Sequence, residues 1–268
     1  PDRAGRRAYV PTASGILIRD TRAGSPTFDQ TIGVLESPRT ELTGRGVVDP
    51  TGRRLLVLAA SGDLLVYDLA LGTLEAQITV GLQPNGVTVD PQAAAAFVTL
   101  EESSVAIVSL TSLDVVGTMT TVGALVGATT SPSGSFLYAA NRQLQAVDVF
   151  DLRQGSRTGF QLVGRVELPF APERVRASAD GAYLYSTRST DARLAVAAVG
   201  VGPIVLGQSA FALPVGGQLV MTGRDFETAV DPRVRFGTID VVPSTVEGGR
   251  VVVEVPVDAT DGDVTVVD

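Results

Sequence analysis

Val48-Asp-Pro-Thr-Gly-Arg-Arg-Leu-Leu-Val57, then Leu64-Leu-Val-Tyr-Asp-Leu-Ala-Leu-Gly-Thr-Leu74 and Ala76-Gln-Ile-Thr-Val-Gly81, form three short apolar runs broken by turn chemistry. Pro50 presets φ, Gly52 and Gly72 supply positive φ, and Asp49 and Asp68 offer carboxylates to turn amides. The pattern predicts strands over 46–49, 54–59, 64–69 and 73–80. The opening phrase recurs as Asp2-Arg-Ala-Gly5, Asp49-Pro-Thr-Gly52, Asp90-Pro-Gln-Ala93, Ser131-Pro-Ser-Gly134 and Ser178-Ala-Asp-Gly181. These anchors at 2, 49, 90, 131 and 178 are separated by 47, 41, 41 and 47 residues.

The register holds at other points too. Four residues past each Gly or Ala of the phrase stands a large side chain: Tyr9, Leu56, Phe97, Tyr138, Tyr185. About nineteen residues past the anchors an apolar run ends in Asp20, Asp68, Ser109 or Asp151, and Gly24, Gly72 and Gly155 follow four residues later. A period of roughly 40–50 residues is that of one four-stranded propeller blade. The 93–96 alanine run sits in strand register and is read as strand. From about residue 200 the repeat stops, and 199–203 reads as a linker. Strand-like runs then continue through Gly217–Phe226, Val234–Gly237, Val251–Pro256 and Asp263–Asp268.

These residues carry two resemblances. The units resemble the YVTN-type β-propeller repeats of bacterial and archaeal surface proteins over about residues 1–200. They depart from that family where its Asn follows the second strand, since only Asn141 matches. The phrases Gly217-Gln-Leu-Val-Met-Thr-Gly-Arg-Asp-Phe226 and Val234-Arg-Phe-Gly237 resemble an IPT/TIG domain, an immunoglobulin-like sandwich, over about 203–268. The expected fold is all-β: propeller blades over 1–201, then a sandwich over 202–268. Four to five blades are counted, the first without its innermost strand and the last ending near Val199 after its third. Open strand edges are normally avoided by closure, so either the termini close a five-bladed ring or upstream blades of a longer polypeptide complete a larger one; the abrupt start inside a unit favours the second. The start at Pro1, without initiator Met or signal peptide, fits a segment of such a polypeptide.

Composition narrows the chemistry. The chain has 268 residues, 21 basic and 29 acidic, for a formal charge of −8. An acidic surface repels phosphate backbones, so nucleic acid is not an expected partner. Every basic residue is Arg; Lys, His, Cys and Trp are absent. Disulfides, thiolate nucleophiles and Ser-His-Asp or Cys-His mechanisms are thereby excluded within the segment. No apolar run approaches the roughly 20 residues of a membrane helix. No Gly-x-Ser-x-Gly elbow, phosphate loop or dinucleotide fingerprint occurs.

No catalytic, cofactor or metal residue is assigned. Glu101-Glu102 offers oxygens for a calcium ion but is read as a solvated loop. Asp20, Asp68 and Asp151 are read as local turn caps, and the Tyr9/Tyr138/Tyr185 column as core. The arginines at 3, 6, 7, 53, 54, 174 and 176 are suited to carboxylates, yet are read mainly as a solubilising face. The candidate interaction residues are Gln83, Asn85, Glu173 and Arg174, in loops entering the innermost strands. Gly123-Ala-Leu125 is the third such loop. The expected function, following the resemblances, is a non-catalytic scaffold, adhesion or protein-interaction module of a surface or secreted protein, with no enzyme activity. Its expected partners are other surface proteins or copies of itself. The alternatives are a lactonase- or quinoprotein-like propeller enzyme with active residues elsewhere, or a carbohydrate-binding module.

Overall fold

The computed structural model describes the chain except residues 1, 3, 13–14, 39–40, 200–203, 210–212, 225, 227–231, 248, 260–263 and 268. Described residues form an all-β structure of small antiparallel sheets, with no helix among them. Two compact units divide between Ala197 and Ala198, slightly before the expected boundary after 201. Most of the expected linker, and the expected strand ends at Asp263 and Asp268, lie outside the described residues.

The first unit is a series of meanders. The strands are β1 (Arg7–Thr12), β2 (Gly15–Asp20), β3 (Thr31–Glu36), β4 (Leu42–Val48), β5 (Arg54–Ala59), β6 (Asp63–Asp68), β7 (Thr73–Thr79), β8 (Pro84–Val89) and β9 (Ala95–Leu100). They continue as β10 (Ser104–Ser109), β11 (Asp114–Thr120), β12 (Leu125–Thr130), β13 (Phe136–Asn141), β14 (Ala146–Asp151), β15 (Leu162–Glu167), β16 (Arg174–Ala177), β17 (Tyr183–Arg188) and β18 (Arg193–Ala198). The sheets are β1–β3, β4–β7, β8–β11, β12–β15 and β16–β18, each in sequence order.

The recurring turn phrase has a physical cause. Each anchor side chain accepts backbone hydrogen bonds from the far side of its turn. Asp49 Oδ1 takes the amides of Arg53 and Arg54 at 2.9 and 3.2 Å, and Asp90 Oδ1 those of Ala94 and Ala95 at 2.7 and 3.1 Å. Ser131 Oγ and Ser178 Oγ take the amides of Phe136 and Tyr183 at 3.0 and 2.9 Å. The anchor carbonyl accepts from the residue three positions on, which has positive φ: Gly52 at 74°, Ala93 at 58°, Gly134 at 75°. Asp or Ser is needed to accept, and Gly best tolerates that φ. Ala93 fills the glycine's place, which corrects the strand reading of the alanine run: β9 starts only at Ala95.

The sheets stack face to face, and the period-2 alternation of strands sorts their side chains. Leu55, Val57, Ala59, Leu65 and Tyr67 cluster with Ile16 and Leu35 of the first sheet. Their neighbours Leu56, Leu58, Leu64 and Val66 cluster with Ala96, Val98, Ala106 and Val108 of the third. Phe97, Val105 and Ile107 then meet Leu137, Ala139 and Phe150 of the fourth. The central strands are buried on both faces, so they read as continuous apolar runs. The first strands of the full sheets and of the fifth are neighbours in order: β4 by β8, β8 by β12, β12 by β16. Gly86 makes one approach possible, because a Cβ there would stand 2.6 Å from the Gly127 Cα.

The described residues of the second unit form seven strands: β19 (Ile204–Gln208), β20 (Gln218–Arg224), β21 (Arg233–Phe236), β22 (Ile239–Val241), β23 (Thr245–Glu247), β24 (Arg250–Glu254) and β25 (Val264–Val267). They form two sheets, β19-β20-β24-β23 and β22-β21-β25. Leu219, Met221, Val251 and Val253 of the first share a core with Val234, Phe236 and Val266 of the second, and Phe226 is buried with them.

Candidate functional site

Four neighbouring strands of the first unit line one cavity of about 100 Å³. Gly44–Gly46 of β4, Gly86 and Val87 of β8, Val126–Ala128 of β12 and Glu173–Arg176 at β16 form its wall. Arg45, Gly86, Gly127 and Arg174 each stand four residues before their anchor. The repeat thus sets two arginines on the outer strands of the four and two glycines on the strands between. Arg176 also borders a second cavity, of about 260 Å³, with Tyr9, Pro11 and Ile16.

The lining is electropositive. Burial pushes the Arg45 guanidinium pKa down, and the charges of Arg174 and Arg142 push it the same way, against Glu173. Burial and the charge of Arg174 likewise lower the Arg176 pKa. Arg176 remains solvent-accessible but is flanked by protein, its Nη1 donating weakly to the Val175 carbonyl at 3.3 Å. None of Arg45, Arg142, Arg174 or Arg176 has a carboxylate within ion-pair distance among the described residues. Elsewhere arginines find acids: Arg54 with Glu75, Arg153 with Asp151 at 3.0 Å, Arg165 with Asp148 at 2.6 Å.

The four loop residues singled out in the sequence divide into two kinds. Glu173 and Arg174 lie on the cavity. Glu173 Oε2 accepts from the Ser189 amide at 3.0 Å and from its hydroxyl, and these bonds hold its pKa below the ordinary value. Asn85 is a strut: its Nδ2 donates to the Leu125 carbonyl at 2.6 Å and its Oδ1 accepts from Thr99 at 2.9 Å. Gln83 is exposed at φ 50°. Arg45 and Arg142 were missed. Counting back from the anchors pairs Arg45 with Arg174; Arg142 carries no comparable signal.

The outer faces of the stack form a second feature. Tyr183, Tyr185, Leu194 and Val196 of the fifth sheet occupy the repeat positions of Phe136, Tyr138, Val147 and Val149 in the fourth, 47 residues earlier. The earlier four are buried, Phe136 at 3% and Tyr138 at 5% exposure; Tyr185 is 39% and Val196 55% exposed. Val10, Ile32 and Val34 are exposed on the first sheet. The tyrosine column is therefore core at Tyr138, half-buried at Tyr9 and surface at Tyr185.

The recurring aspartates cap turns. Asp151 accepts from the Arg153 amide and Nε, Ser156 Oγ at 2.8 Å and Thr158 Oγ1 at 2.7 Å. Asp20 makes the same set with Arg22, Ser25 and Thr27. Asp68 takes the Ala70 and Leu71 amides at 2.8 and 2.9 Å. Glu101 and Glu102 are exposed on the turn between β9 and β10. Arg53 and Arg54 pair with Asp68 and Glu75, and Arg3 lies outside the described residues. Among the described residues no helix is long and apolar enough to cross a membrane. Compared with known proteins, the chain matches no family model and no curated sequence.

Proposed function

We propose that this chain is a non-catalytic interaction module of a surface or secreted protein, its first unit a β-propeller segment and its second an immunoglobulin-like sandwich of IPT/TIG type. The observation that carries the reading is the apolar outer face of the fifth sheet. Identical repeat positions are covered wherever another sheet follows and bare where none does. Burying a side chain such as Val or Leu stabilises by about 1.5–3 kcal/mol, and clustered exposed apolar side chains mark interaction surfaces. The partner that fits is another sheet of the same repeat type, since that is what covers this face in the stack. The repeat period supports the propeller assignment, and the shared core of two antiparallel sheets supports the sandwich. The buried carboxylates Asp20, Asp68, Asp148 and Asp151 are engaged in turn caps and struts, which favours binding over catalysis.

Cross-linking mass spectrometry on the protein in its native material, with carboxyl-reactive linkers because Lys is absent, tests the proposal. Links from Asp180 or Asp191, in the turns before and after β17, to another polypeptide are expected. Links confined to residues within the segment would overturn it.

A further inference from the structure

Beyond its role as an interaction module, we infer that the four-stranded cavity of the first unit binds a compact oxyanion carrying two or more negative charges. The proposal concerns the inner strands and is independent of what covers the outer faces. Arg45 and Arg174 are placed on one cavity wall by the repeat itself, Arg176 follows on the same strand, and Arg142 acts on Arg45 from the end of β13. None of the four has a carboxylate within ion-pair distance among the described residues, although the charge of Glu173 is felt at Arg45 and Arg142, in a chain with 29 acidic against 21 basic residues. Where acids outnumber bases, gathering unpaired arginines costs mutual repulsion in a partly desolvated space. An anion placed among them removes that repulsion and gains charge-assisted hydrogen bonds in the planar geometry guanidinium favours.

The neighbouring groups define the ligand further. Glu173 is the one carboxylate in that lining and is already held by Ser189, so the three arginines less this one acid leave a net charge of two, which a doubly charged anion neutralises. On the middle strands Gly86 and Gly127 contribute positions without side chains, beside Val87, Val126 and Ala128, to the lining of a space of about 100 Å³. The shared chemistry is a phosphate, sulfate or clustered carboxylate.

Isothermal titration calorimetry of inorganic sulfate, pyrophosphate and citrate into the full chain at low ionic strength tests the inference. One saturable site is expected for at least one of them, weakened by added salt. Tighter binding of citrate assigns a polycarboxylate, and tighter binding of pyrophosphate or sulfate assigns a phosphate or sulfate ester. Arg174→Ala or Arg45→Ala is expected to weaken binding by at least about tenfold. Glu173→Gln, which keeps an acceptor for Ser189 and loses the charge, is expected to tighten it by about threefold or more, a change that general loosening of the fold does not produce. Circular dichroism melting verifies that the variants are folded. Absence of saturable binding for all three anions, or affinities unchanged in folded Arg174→Ala and Glu173→Gln proteins, would overturn the assignment.

Discussion

Asn141 and Asp148 are both fully buried and meet through a 2.8 Å hydrogen bond from Asn141 Nδ2 to Asp148 Oδ2. Around this pair three parts of the chain are joined. Asn141 Nδ2 also donates to the Val122 carbonyl at 2.7 Å. Asp148 accepts from Thr121 Oγ1 at 2.7 Å and from Arg165 Nε at 2.6 Å. Thr121 and Val122 belong to the connection between the third and fourth sheets, so the node fastens that connection to β13, β14 and β15.

A buried carboxylate that loses a donor keeps its desolvation cost without full compensation. Asn141→Ala is therefore expected to destabilise the first unit by about 2–4 kcal/mol. Urea unfolding followed by circular dichroism measures this; a loss under about 0.5 kcal/mol, the size of an ordinary surface substitution, would remove the node from the account.

Asp151 gives a pH-dependent prediction. Burial alone would raise its pKa, but donors from Arg153, Thr158 and Ser156 outweigh it and hold the carboxyl at about 2. With the folded pKa below the unfolded one, the stabilisation is complete above the ordinary Asp range, near pH 4, and disappears as pH falls through about 2. Asp151→Asn is expected to cost about 1–3 kcal/mol at pH 7, with the difference from the parent protein shrinking between about pH 4 and pH 2. Unfolding midpoints across that range provide the measurement. A difference that stays constant with pH would show that the latch does not depend on the carboxylate charge.

Gly86→Ala tests the packing of the inner strands. Its new Cβ would stand 2.6 Å from the Gly127 Cα and 2.6 Å from Thr99 Oγ1, so β8 must move from β12. The expected cost is about 1–3 kcal/mol. Gly164→Ala on β15, where the nearest atom to the added Cβ is 4.0 Å away, is expected to change stability by less than about 0.5 kcal/mol. Equal melting temperatures for the two variants would contradict the close approach.

The repeat was legible in the sequence because its punctuation is local: an Asp or Ser anchor meets amides four and five residues on, and Gly takes the positive φ. The predicted second unit of strands matches β4–β7 closely, except that β4 starts at Leu42, ahead of a bulge before Gly46. The latch linking Asp20 with Arg22, Ser25 and Thr27 recurs at Asp151 with identical spacing and was legible only as an Asp and a Gly. What sequence could not supply depends on how sheets stack. Tyr138 and Tyr185 occupy one repeat position with opposite exposure, because only one has a sheet beyond it. Arg45 is legible as the repeat counterpart of Arg174, four residues before its anchor, whereas Arg142 joins them across the stack at a separation that no pattern records. Asn141 and Asp148 sit at positions filled by other residue types in the neighbouring units, so periodicity does not pair them.

The exposed face of the fifth sheet carries the central claim, and hydroxyl-radical footprinting reads it directly. Tyr183 and Tyr185 are compared in the isolated chain and in the protein within its native material. The account predicts strong labelling of both in the isolated chain and clear protection in the native assembly, with Tyr138 protected in each. Equal labelling of Tyr183 and Tyr185 in the two states would contradict it.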